Sequence, residues 1–120
     1  MQHVQLGATD LKVSRLALGL GFRGQSSSDD AQRLIEYAID QGINFIDCAN
    51  KYQLRTDADD AHGSSEEVLG RILMTRRKDV VITSKVGAKD ERLRRDGGGC
   101  SRENILKQVE LSLQRLGTDY

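Results

Sequence analysis

A short apolar run, a loop and an amphipathic stretch recur three times along this chain, and that repeat constrains the fold more than any other feature. Leu16-Ala17-Leu18 leads into the loop Gly19-Leu20-Gly21-Phe22-Arg23-Gly24. Ser28, Asp29 and Asp30 then supply a cap and first-turn carboxylates for a helix carrying Ala31, Leu34, Ile35, Ala38 and Ile39 on one stripe, and Gly42 ends it. The second unit runs from Ile43, Phe45 and Ile46 through Asp47-Cys48-Ala49-Asn50 into a long polar loop. A capping box, Ser64 with Glu67, then opens a helix striped by Val68, Leu69, Ile72 and Leu73 and closed by Arg76-Arg77-Lys78. The third unit is a β-branched strand, Val80 to Val86, a loop from Gly87 to Cys100, and a helix capped by Ser101, with Leu106, Val109, Leu113 and Leu116 aligned and Gly117 at its end.

Consecutive strands separated by helices pair in parallel through right-handed crossovers, so the class is α/β. Val4 to Leu6 and Leu11 to Val13, around Gly7-Ala8-Thr9-Asp10, predict a hairpin ahead of the first unit. Periodicity does not choose between a doubly wound sheet and a barrel. The 120 residues are enough for one domain and fall short of the roughly 250 of a complete eight-unit barrel.

Charge and cysteine use narrow the function classes. Eighteen Lys and Arg balance eighteen Asp and Glu, which leaves no long-range field to gather nucleic-acid phosphates or anionic lipid. No apolar run approaches the roughly 20 residues needed to span a bilayer, and the chain reads as cytoplasmic. Cys48 and Cys100 lie far apart, outside any zinc-ligand spacing, and are expected as free thiols. Asp57, Asp59, Asp60 and His62 fail the calcium-loop pattern, because Ala61, His62 and Val68 occupy positions that need a ligand, a glycine and a glutamate. No metal site is expected.

Two sets of residues could carry chemistry. Gly19, Gly21 and Gly24 formally match a dinucleotide-binding fingerprint. Yet Gln25 to Ser28 delay the helix, and Asp29 and Asp30 would stand where its phosphates belong. The second set is Asp47 at the end of one strand, Tyr52 in the following loop and Lys85 at the end of the next strand. Neighbouring parallel strands would bring Asp47 and Lys85 side by side at the carboxyl rim, where such sheets place ligands. A lysine ammonium beside a phenol favours the phenolate, and an aspartate holds that lysine charged and aimed. This makes Tyr52 a candidate general acid and base.

Collinear segments also resemble a known family. They are Leu11-Lys12-Val13-Ser14-Arg15-Leu16, Gly42 through Tyr52, Gly63 through Arg71, Ser84-Lys85-Val86-Gly87 and Ser112 through Tyr120. In that order they resemble the aldo-keto reductases. The resemblance implies a partial (β/α)8 barrel, the N-terminal hairpin plus the first three βα units, with residues 1–120 as the N-terminal part of one barrel domain and the chain stopping before a fourth strand. It implies reduction of aldehydes or ketones with NADPH. Tyr52 would be the proton donor, Lys85 and Asp47 its tuning pair, and Gly21, Phe22 and Asp47 the contacts to the cofactor.

Departures from the family pattern are Cys48 and Ser84 in places where threonine is common, and Gln53 in place of a glycine after the tyrosine. The family's catalytic histidine and its adenosine-phosphate grip would lie beyond Tyr120, so these residues alone are expected to be inactive. The partner expected is a small carbonyl substrate, with no nucleic acid and no membrane; the oligomeric state and the substrate stay open. The alternatives are a non-enzymatic binding or regulatory subunit of the same fold, or a small Rossmann-like nucleotide-binding domain.

Overall fold

The computed structural model describes residues 1–21, 27–53, 64–87 and 99–120. It opens with an antiparallel hairpin of β1 (His3–Gln5) and β2 (Lys12–Ser14), closed by Leu6 N–H donating to Leu11 O at 2.9 Å. Asn44 latches the hairpin to the sheet. Its Oδ1 accepts Ser14 N–H at 2.7 Å and its Nδ2 donates to Lys12 O at 3.0 Å, just before the next strand begins.

β3 (Ala17–Gly19), β4 (Phe45–Asp47) and β5 (Val81–Thr83) form a parallel sheet in that order. Its register sets Gly19, Asp47 and Thr83 in one row at the carboxyl rim. β5 is shorter than the apolar run from Val80 to Val86 suggests. Past Asp47 the neighbouring chain still donates from Cys48 N–H to Thr83 O at 2.9 Å and from Asn50 N–H to Lys85 O at 3.3 Å, and it then turns, with Tyr52 N–H donating to Ala49 O at 3.2 Å.

Helix α1 (Ser28–Asp40) is capped by Ser27, one residue before the expected cap, its hydroxyl accepting Asp30 N–H at 3.1 Å. Ala31, Ile35, Ala38 and Ile39 are buried, whereas Leu34 sits at the margin of the stripe and is exposed. Helix α2 (Ser64–Arg76) buries Val68, Leu69, Ile72 and Leu73 as expected, and a 3-10 turn, Arg77–Asp79, follows it. The Ser64 side chain, and with it the capping box, lies outside the described residues.

Helix α3 (Arg102–Leu116) starts at Ser101, whose hydroxyl accepts Asn104 N–H at 3.2 Å, and ends at Gly117, with φ of +63°. Its expected apolar face is not its buried face. Leu116 is buried, but Leu106 and Val109 are 54% and 49% exposed, while Asn104 and Gln108 are inside. Val109 and Leu113 look into a groove of about 260 Å³ along the outer edge of β5, shared with Ile82, Val86 and Tyr120. That edge has no neighbouring strand among the described residues.

One core cluster joins Ile35 of α1, Leu69 and Ile72 of α2, and Leu116 of α3 to Ile46 of β4 and Val80 before β5. All three helices therefore cover a single face of the sheet. A doubly wound fold needs helices on both faces, so the architecture is that of a partial (β/α)8 barrel with its hairpin. No described helix is long and apolar enough to cross a membrane.

Candidate active site

The row Gly19, Asp47, Thr83 ends the sheet with one carboxylate at its centre. Alternate residues of an extended chain share a face, so Lys85 emerges on the same side as Thr83. Thr83 Oγ1 donates to Asp47 Oδ1 at 2.7 Å, and Lys85 Nζ reaches both Asp47 oxygens at 2.8 Å. The ammonium also donates to Cys48 O at 2.8 Å. Tyr52 completes the group, its ring centroid 4.6 Å from Lys85 Nζ and a side-chain hydrogen bond joining the two residues. Asp47, Tyr52 and Lys85, singled out from strand ends and a loop, thus meet at one point.

The Tyr52 loop is held by the start of α2. Tyr52 O accepts Ser65 N–H at 3.0 Å, and Ser65 Oγ donates to Ala49 O at 2.9 Å. One of the helix's otherwise unpaired first N–H groups thereby anchors the backbone of the tyrosine.

Burial opposes ionisation of Asp47, but the hydrogen bonds from Lys85 and Thr83 outweigh it and hold the carboxyl below its ordinary value. Burial likewise works against the Lys85 charge, and the bonds to Asp47 and Tyr52 outweigh that and raise it. Both groups are therefore ionised at neutral pH. Beside them, burial pushes the Cys48 thiol up to about 11. Cys48 is a core residue, its Sγ donating to Thr83 O at 3.2 Å, and Cys100 is an exposed free thiol.

Of the expected cofactor contacts, Gly21 lies at the exposed rim with no described residue beside its Cα, and Asp47 is central. Phe22 and Gly24 lie outside the described residues, as do Asp57, Asp59, Asp60 and His62. Among the described residues the first helix after Gly21 is α1, which begins at Ser28 and carries Asp29 and Asp30 in its first turn, where the Rossmann manner would place a pyrophosphate. No metal-binding cluster occurs among the described residues.

Sequence reasoning missed Glu66. Ser84 Oγ donates to its Oε1 at 2.5 Å and Arg115 Nη1 to its Oε2 at 2.5 Å, with the carboxylate fully buried. Two adjacent glutamates at a helix start look like solvated charge, and Glu67 is exposed. Yet Glu66 shares the three-and-four row of Leu69, Gly70 and Leu73, the buried stripe of α2, and that spacing was the available signal.

The sequence profile of the Aldo/keto reductase family matches residues 15–120. A probable voltage-gated potassium channel subunit beta of Arabidopsis thaliana is 35% identical over 130 residues, covering 100% of this chain and 35% of that protein. Among solved structures, the holo form of the aldo-keto reductase AKR11C1 from Bacillus halodurans is 33% identical with a TM-score of 0.79, over 100% of this chain and 38% of that one. The thermostable aldo-keto reductase Tm1743 in complex with the inhibitor epalrestat is 29% identical with a TM-score of 0.75, over 100% and 40%. The chain thus spans well under half the length of these relatives.

Proposed function

The chain belongs to the aldo/keto reductase family, and from that premise we propose that it carries the proton-donating site of an NADPH-dependent reduction of aldehydes or ketones to alcohols. The observation that supports this best is the Lys85 ammonium fixed by Asp47 and the Cys48 carbonyl while facing Tyr52. Tyr52 acts as the acid. Its proton passes to the carbonyl oxygen of the substrate, and Lys85 stabilises the negative charge left on the phenol until solvent restores the proton. Asp47 keeps the lysine charged and aimed. When bound, NADPH would supply a hydride to the carbonyl carbon, and with the proton from Tyr52 the product would leave as a neutral alcohol.

The residues present fit such a cofactor. A carboxylate offers about four lone-pair positions, and among the described residues Asp47 uses three, two toward Lys85 and one toward Thr83. One remains for a ribose hydroxyl. No described residue lies beside Gly21, which would let a flat ring approach the rim. Gly21, Phe22 and Asp47 are the residues proposed to hold it.

NADPH consumption with a simple aldehyde tests the proposal in the full-length protein. Tyr52→Phe is expected to lower kcat by about a hundredfold or more while NADPH still binds. Full activity in that variant refutes the role of Tyr52. Residues 1–120 alone are expected to show little or no turnover.

A second reading is favoured by one relative. The Arabidopsis thaliana protein is by name a channel subunit, so a partner-subunit role on the same fold is the alternative. A full-length protein that binds NADPH but reduces no carbonyl compound would favour it.

A further inference from the structure

Ser84 stands between Thr83 and Lys85, both of which reach Asp47. By strand alternation its side chain faces the helices, where it meets the buried Glu66 of α2. Arg115 of α3 takes the other Glu66 oxygen. A buried ion pair contributes little stability compared with well-packed apolar side chains of similar volume, so packing alone does not account for a carboxylate here. A second link from α3 ends at the same place. Asn50 Nδ2 donates to Gln108 Oε1 at 3.2 Å, and Asn50 N–H donates to Lys85 O at 3.3 Å. The backbone that carries the lysine is therefore held from both sides, just past the point where the β5 ladder has ended.

We propose that Glu66 is a positioning residue: through the Ser84 hydroxyl it fixes the chain carrying Lys85, and so sets where the ammonium stands between Asp47 and Tyr52. Arg115 holds Glu66 in register, which makes the α2–α3 contact part of the site's geometry. This rests on the preceding reading of Lys85 as the cation that serves Tyr52. A lysine displaced by a fraction of an ångström would still be charged and would still be at the rim, but it would serve the phenol less well.

Three variants of the full-length protein test it: Ser84→Ala, Ser84→Thr and Glu66→Gln. The readouts are carbon NMR titration of the Asp47 carboxyl and steady-state kinetics. Ser84→Ala, which leaves the Glu66–Arg115 pair intact, is expected to move the Asp47 titration up toward the ordinary carboxylate range. It should also lower kcat by about ten- to a hundredfold with KM little changed. Ser84→Thr, which keeps the hydroxyl, restores both. Glu66→Gln shifts both in the same direction as Ser84→Ala, and if it does not fold the two Ser84 variants decide. A folded Ser84→Ala whose Asp47 carboxyl titrates as in wild type overturns the proposal. Should the wild-type protein reduce no carbonyl compound, the reading of the site as a reductase fails, and the Asp47 titration still decides whether Glu66 positions Lys85.

Discussion

Cys48 sits one residue from the carboxylate that anchors the site, yet its thiol belongs to the core. Burial there pushes it up to about 11, above the ordinary value of 9.0. A raised value means the neutral thiol is favoured by folding. Its contribution to stability is therefore complete below about pH 9 and lost as pH rises through about 11. Since the thiolate is the nucleophile, Cys48 should resist alkylation at pH 8 in the folded protein and react once denaturant is added, while the exposed Cys100 reacts at once. Rapid labelling of both, followed by mass spectrometry, would contradict the burial. At this scale the sequence was most legible where charge interrupts an apolar run: Asp47 and Lys85 each end one, and pairing of adjacent strands does the rest. The spacing of Glu66 signals its burial, but its partners, Ser84 and Arg115, come from two other elements and no local pattern joins them to it.

Among the elements, α1 and α2 follow their apolar spacing because each has one face against the sheet and its own neighbours. Helix α3 departs from it. Val109, Leu113 and Leu116 line the outer groove, and its buried positions include the polar Asn104 and Gln108 beside Leu116. Hydrophobic periodicity identifies a face that avoids water without saying which neighbour covers it, and here the docking on α2 is governed by close backbone approach. A Cβ at Gly70 would lie 2.4 Å from Arg115 O and 3.2 Å from Leu116 O. Those are backbone atoms, which cannot swing aside. Gly70→Ala gains up to about 1 kcal/mol in helix preference. The forced separation of α2 from α3 costs more, so a net loss of about 1–3 kcal/mol is expected in urea denaturation. Equal or greater stability would mean that the two helices can part without cost. Because Arg115 and Glu66 lie at the same crossing, the variant should also disturb the link to Ser84.

For the molecule as a whole, the sheet has two outer strands among the described residues, β3 and β5. Beside β3, no described residue lies near the Cα positions of Gly19 and Gly21. Beside β5, no strand pairs with the outer edge among the described residues, and a groove walled by Ile82, Val86, Val109 and Leu113 runs along it. Arg77 fastens residues 118–120 at the mouth of that groove, its Nε donating to Thr118 Oγ1 at 2.9 Å and its Nη2 to Tyr120 O at 2.7 Å, with its guanidinium 3.9 Å above the Tyr120 ring. An unpaired strand edge next to exposed apolar side chains is a template for pairing with another chain. A closed barrel has no such edge. Residues 1–120 on their own are therefore expected to associate, with an apparent mass in sedimentation velocity that rises with concentration. Val109→Lys, at a half-exposed position of the groove, puts a charge there without touching Asp47, Tyr52 or Lys85, and should reduce that association. A sharp, concentration-independent monomer boundary for the unaltered 120 residues would show that the β5 edge is already protected, and would remove the case for a covering strand along it.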